Sequence, residues 1–213
     1  MDLRTCHTVI VFGGSFDPPH HGHLTLPTLA MQHIHADAVA YIPAAVSPLK
    51  QNIQQTPSEH RLAMLRLAVG DLPHAVVLTD EMDRAADNRP SYTVDTLEGL
   101  HQKLGDNVTM RLLIGGDQLQ QFDRWRQPNR IIELAEPLVM LRPPQTRETL
   151  LASLPVGYDA AEWSPRIVEL PPMNISSTMI RRHVAHGKPI REWVPAVVEQ
   201  YVREHRLYQQ ASD

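Results

Sequence analysis

The chain of 213 residues has a single cysteine, Cys6. That excludes an intramolecular disulfide and frees the fold from dependence on an oxidising compartment. Positive charge is not in excess: 20 Lys and Arg face 24 Asp and Glu, for a formal net charge of −4. A general nucleic-acid or anionic-membrane binding surface is therefore excluded, and any phosphate binding must be local. Long apolar runs are also lacking. No stretch approaches the ~18 residues of a membrane span, MDLRTCHTVIVF contains no secretory apolar region, and the expected location is the cytoplasm. Repeats, low-complexity segments and a recognisable linker are absent too, so a single domain is expected over 1–213.

What is present is concentrated. Residues 13–23 read GGSFDPPHHGH and follow the apolar run Val9-Ile10-Val11-Phe12. A turn needs one or two Gly or Pro; the three histidines call for another explanation.

Apolar, β-branched runs recur at His7 to Phe12, Ala38 to Ile42, Ala75 to Leu78, Met110 to Ile114, Leu138 to Leu141 and Ile167 to Leu170. They fit strands buried on both faces. Helical spacing fills the intervals. Thr56-Pro57-Ser58-Glu59 predicts an N-cap at Thr56 with Leu62, Leu65 and Val69 on one face, and Val94, Leu97, Leu100 and Leu104 repeat that spacing. Strands alternating with helices predict a doubly wound α/β fold, a Rossmann-like parallel sheet of five to six strands over 1–172. After Leu170 two helical stretches, Ser177 to His186 and Val194 to Glu204, predict a small C-terminal helical cap over 173–213, beside the carboxyl ends of the strands where ligands bind.

Gly13 and Gly14 at the end of the first strand allow a sharp turn and a close backbone approach to phosphate. The spacing is neither GxGxxG nor GxxxxGK[ST], which excludes the dinucleotide and P-loop fingerprints here. If a helix begins near His21, His20 and His23 project to one side of its first turn, where unpaired N–H groups and the helix dipole favour anions. Gly22 leaves room for a ligand between them. A metal reading of His20, His21 and His23 fits no common zinc spacing.

GGSFDPPHHGH resembles the G-G-[ST]-F-D-P-x-H-x-G-H signature of the nucleotidyltransferase superfamily. Ile175-Ser176-Ser177-Thr178-Met179-Ile180-Arg181 resembles its second signature, I-S-S-T-x-I-R. Across roughly Val9 to Tyr208 the chain is similar to bacterial nicotinate-nucleotide adenylyltransferases, a family that joins ATP and nicotinate mononucleotide into nicotinic acid adenine dinucleotide and pyrophosphate, in NAD biosynthesis. The resemblance implies ATP and nicotinate mononucleotide as partners, with no nucleic acid and no membrane; monomer and homo-oligomer stay undecided. Mg²⁺ is expected on the ATP phosphates, without dedicated protein ligands.

The implied catalytic groups are His20, His23 and Arg181. Gly13, Gly14, Ser15, Phe16, Gly22, Lys50, Ile175, Ser176, Ser177 and Thr178 complete the ATP side. Ser91, Tyr92, Thr93, Gly115, Asp117 and Trp125 are the implied nicotinate mononucleotide side, with Trp125 stacked on the pyridine ring and Asp117 on a ribose hydroxyl. Asp17 is expected to hold its loop by turn or capping hydrogen bonds, because a bare carboxylate beside phosphates is repulsive. Two departures from the family's pattern stand out. Leu49 precedes Lys50 where relatives often have histidine, and Arg126 follows Trp125 where they often have an aromatic residue.

The chemistry asks for little beyond this. The acceptor's phosphate monoester is mostly a dianion at pH 7, since its second pKa is about 6, so no general base is needed. Donors and cations that align two anions are sufficient. Three other readings compete. Against a phosphopantetheine-type adenylyltransferase, whose chains are commonly shorter, the Ser91-Tyr92-Thr93 and Trp125 landmarks favour nicotinate; intact His20, His23 and Arg181 speak against a non-catalytic nucleotide sensor; and a tRNA-charging enzyme requires a longer, more basic chain.

Overall fold

The computed structural model describes residues 1–45, 55–86, 92–141 and 144–209. Lys50 and Ser91 lie outside the described residues.

In chain order the elements are β1 (Thr8–Gly14), α1 (His21–His33), β2 (Ala38–Pro43), α2 (Ser58–Val69), β3 (Ala75–Val77), α3 (Asp80–Ala86), α4 (Thr93–Leu104), β4 (Thr109–Gly115), α5 (Gly116–Leu119), α6 (Pro128–Leu134), β5 (Ala135–Met140), α7 (Arg147–Ala152), α8 (Ala160–Trp163), β6 (Ile167–Val168), α9 (Ser177–Ala185) and α10 (Ala196–Glu204). The six strands form one sheet in the order β3-β2-β1-β4-β5-β6, and every neighbouring pair is parallel. The order reverses between β1 and β4. A crevice therefore opens at their carboxyl ends, which is where ligands bind in such sheets.

The strand sequences account for this placement. All six residues of β2 are buried, and successive residues of β1 serve opposite faces: Ile10 and Phe12 pack with Val39, Tyr41 and Leu65, while Val11 packs with Leu112, Ile114 and Leu97. A strand that must be apolar on both faces cannot show polar alternation, which is why these runs read as continuous. Helices α1 and α2 cover one face through Leu26, Ala30, Leu65 and Val69. On the other face, α4 and α6 contribute Leu97, Leu100 and Ile131.

The last two helices meet the expectation for the C-terminal stretch and show how it is anchored. Ile180 of α9 and Val198 and Val202 of α10 pack on Met64 and Ala68 of α2. The start of α2 departs from its predicted cap: the helix begins at Ser58 with Pro57 in the cap position. Its buried face is Arg61, Met64, Leu65, Ala68 and Val69, with Leu62 only partly covered. A charged residue thus occupies a stripe that apolar spacing assigns to leucine. No helix among the described residues is long and apolar enough to cross a membrane.

Candidate active site

Gly13 and Gly14 are the last residues of β1, in register with Ile42 and Pro43. Phe16 follows at φ 49°, in the left-handed region that a bulky residue enters only under strain. Its ring is 1% exposed and lies edge-on to His23, with centroids 5.1 Å apart. A Cβ on Gly14 would come within 3.0 Å of the Phe16 ring. Gly14 is thus needed to seat that ring, in addition to any approach by a ligand. Gly13 is different, with only the Ile42 carbonyl at 4.0 Å from such a Cβ.

Helix α1 starts at His21, as predicted, with His20 as its N-cap in extended conformation. The His20 and His23 rings stack at 3.6 Å with 17° between their planes. His23 is therefore held on one side by the face of His20 and on another by Phe16, and loses most of its rotamer freedom. The role expected for Gly22 is refined: a Cβ there would lie 3.1 Å from Cε1 and Nδ1 of His20. Its missing side chain makes space for the imidazole.

Two groups outside the motif lock the loop. Arg61 is 1% exposed and donates to the carbonyls of Ser15 (2.9 Å), Ala44 (2.6 Å), Ala45 (3.0 Å) and Thr56 (3.0 Å). Desolvation lowers its pKa, partly opposed by the charge of Asp17. The carboxylate of Asp17, 6% exposed, accepts from the Thr56 N–H at 3.2 Å and the Tyr208 hydroxyl at 2.7 Å. Asp17 does hold the loop, but through distant partners and not through a local turn.

The second motif arrives at the same place. Ser176 caps α9, its hydroxyl accepting from the Met179 N–H at 3.2 Å. The Ser177 hydroxyl donates to the Pro18 carbonyl at 2.9 Å. Arg181 donates from Nη1 to the Asp17 carbonyl at 2.7 Å and from Nη2 to the Thr178 hydroxyl at 3.3 Å. Ile175 packs into the core shared by α2, α9 and α10. The hydroxyls of Ser176 and Ser177 are thus committed to the protein, and what α9 presents toward the β1–α1 turn is its backbone start and a guanidinium.

Across the crevice, Tyr92 is the N-cap of α4 and Thr93 its first residue, with no side-chain cap on that turn. Trp125 packs on Phe122 with centroids 5.1 Å apart. The Arg126 guanidinium lies 4.7 Å over the Tyr92 ring, which ties the two expected acceptor elements together. Gly115 ends β4 and donates its N–H to the Gln118 side chain at 2.9 Å; Asp117 is exposed at the start of α5.

Sequence reasoning missed Arg61, Tyr208 and the stacking of Arg126. For Arg61 there was a signal, its helical spacing with Met64, Leu65 and Ala68 on an otherwise apolar face. For Tyr208 there was none, since its partner is 191 residues away.

A doubly wound sheet with a histidine-bearing turn at its switch point defines a nucleotidyltransferase class, and comparison with known proteins agrees. The cytidylyltransferase-like family model matches residues 11–183, and the chain belongs to that family. Its relatives place it more narrowly. It is 38% identical over 200 residues to a protein of Thermomicrobium roseum named "Probable nicotinate-nucleotide adenylyltransferase", covering 93% of this chain and 90% of the other. A protein of the same name in a Roseiflexus species is 39% identical over 198 residues, covering 93% and 96%. Among solved structures, the fold is shared with the Plasmodium falciparum nicotinic acid mononucleotide adenylyltransferase complexed with NaAD, at a TM-score of 0.69 and 16% identity over 94% of this chain and 97% of that one.

Proposed function

We propose that this chain transfers the adenylyl group of ATP to nicotinate mononucleotide, releasing pyrophosphate and forming nicotinic acid adenine dinucleotide. A phosphate oxygen of the mononucleotide attacks the α-phosphorus of ATP, the bond from that phosphorus to the bridging oxygen breaks, and pyrophosphate leaves with the electron pair. No proton need move, so the protein's task is alignment and charge neutralisation.

The observation that carries this reading is the meeting of the two motifs, in which Ser177 and Arg181 bond the Pro18 and Asp17 carbonyls beside the stacked imidazoles. His20 and His23 are assigned to the α-phosphate and the departing pyrophosphate, Arg181 and the start of α9 to the outer phosphates, and Gly13 to the closest backbone approach. Tyr92, Thr93 and Trp125 are assigned to the pyridine carboxylate and ring. Mg²⁺ enters with ATP as part of the substrate. When bound with ATP, the ion would neutralise charge on the phosphates.

Purified protein given ATP, Mg²⁺ and nicotinate mononucleotide is expected to release pyrophosphate in step with the dinucleotide formed. Turnover with phosphopantetheine and none with the nicotinate compound would transfer the assignment to the neighbouring activity. Nucleotide binding without turnover would make the chain a sensor.

A further inference from the structure

The loop that carries the imidazoles is held by a residue 191 positions away in the chain. Tyr208 follows α10, and its hydroxyl donates to Asp17 Oδ1 at 2.7 Å. The second carboxylate oxygen accepts from the Thr56 N–H at 3.2 Å. The main-chain carbonyl of the same aspartate accepts from Arg181 Nη1 at 2.7 Å. One residue thus joins the end of the chain, the approach to α2 and the guanidinium assigned to ATP. Burial raises the pKa of the Tyr208 phenol, and the Asp17 charge adds to that, so the hydroxyl remains protonated and able to donate.

We propose that Tyr208 is a positioning residue for the phosphate seat: by occupying the Asp17 carboxylate it keeps Arg181 on the neighbouring carbonyl and available to the triphosphate. The argument runs on what Asp17 does without that hydroxyl. A buried carboxylate deprived of one of two donors must find another, because leaving it unsatisfied is costly. Arg181 already touches the same residue and is a strong donor within reach. Once drawn into an ion pair, its charge is largely neutralised and its fork is turned away from phosphate. Arg61 is a poorer substitute, since four of its five N–H groups are already on carbonyls. The proposal rests on the reading that Arg181 meets the ATP phosphates.

The test is Tyr208→Phe, which removes the hydroxyl and little else. Affinity for a non-hydrolysable ATP analogue with Mg²⁺ is measured by calorimetry without acceptor, beside Tm and steady-state kinetics. Affinity and kcat/KM for ATP are expected to fall ~10-fold, the worth of one charge-assisted hydrogen bond, with KM for the acceptor changed less than about twofold. Adding Asp17→Asn to that variant should recover most of the loss, because a neutral amide no longer competes for the guanidinium; a role in stability alone would not produce such rescue. If only the double variant folds, analogue affinity within about threefold of the unaltered chain supports the proposal and a tenfold deficit overturns it. Unchanged ATP affinity in folded Tyr208→Phe, whatever its Tm, overturns it alone. Failure of the unaltered chain to bind the analogue overturns the functional reading, and this inference with it.

Discussion

The two sides of the crevice are built by different means. On the side proposed for ATP, hydrogen bonds knit the site: Arg61 on four carbonyls, Tyr208 and Thr56 on one carboxylate, and Ser177 and Arg181 on the carbonyls of the opposite motif. The acceptor side is held by rings, with Arg126 over Tyr92 and Trp125 against Phe122, and the buried Trp125 Nε1 has no hydrogen-bond partner among the described residues. The contrast matches the ligands proposed for the two sides. A triphosphate concentrates charge, and donors aimed in advance spare reorganisation when charge shifts in the transition state. A pyridine ring offers a flat π-face, which stacking recognises at lower directional cost. Substitutions should accordingly act strongly and specifically on the first side and weakly on the second.

The largest effect is expected at Arg61. Arg61→Met keeps an apolar stem but strips one buried and three partly buried carbonyls of their donor, and should destabilise the fold by about 3–5 kcal/mol, read by denaturant unfolding. A loss below about 1 kcal/mol would mean that water replaces the guanidinium and that the ATP side is less dry than its hydrogen bonds imply. Next comes His23→Ala, which removes a donor that Phe16 and His20 immobilise. A fall in kcat of about 10²–10³ is expected, with an unchanged circular-dichroism melt; a mild effect would make the stacked pair a packing feature.

Gly22→Ala probes pre-organisation itself, because the new methyl would sit 3.1 Å from the His20 ring. Stability should change by less than about 1 kcal/mol, since alanine favours the helix as much as crowding disfavours it. Displacing the imidazole pair should nevertheless lower kcat by roughly 5- to 50-fold. Comparable losses in stability and rate would erase the distinction between a rigid scaffold and an aimed site.

The contrast also explains how much could be read in the sequence. Six strands and the two final helices were legible because strands buried on both faces leave continuous apolar runs, and because Ser177 to Ala185 carries its own cap. The convergence of GGSFDPPHHGH with ISSTMIR was legible only through the pairing of two motifs, since nothing local to either says that Ser177 reaches Pro18. The short helices α5 to α8 left no periodicity to detect. Arg61 and Tyr208 were missed for a common physical reason. Each satisfies backbone or carboxylate groups that exist as orphans only once the chain has folded, and spacing rules register apolar burial, not polar debts. The room that Gly22 leaves for the His20 ring belongs to the same class, because the His20 rotamer is a tertiary fact.

The smallest expected effect falls on the proposed acceptor side, at Arg126. Arg126 is exposed, holds its guanidinium over the Tyr92 ring, and forms no ion pair with a carboxylate among the described residues. An exposed cation–π contact contributes about 0.5–1 kcal/mol, and an exposed charge acting on a ligand carboxylate is screened to a similar size. Arg126→Gln should therefore reduce the preference for nicotinate over nicotinamide mononucleotide by roughly 2- to 5-fold, through KM for the acid and with KM for ATP unaltered. Parallel assays on the two mononucleotides read this directly. A loss of 100-fold or more would show that acid recognition is carried by this one cation and would break the comparison. An unchanged ratio would confine the choice of acid to the first turn of α4 and sharpen it.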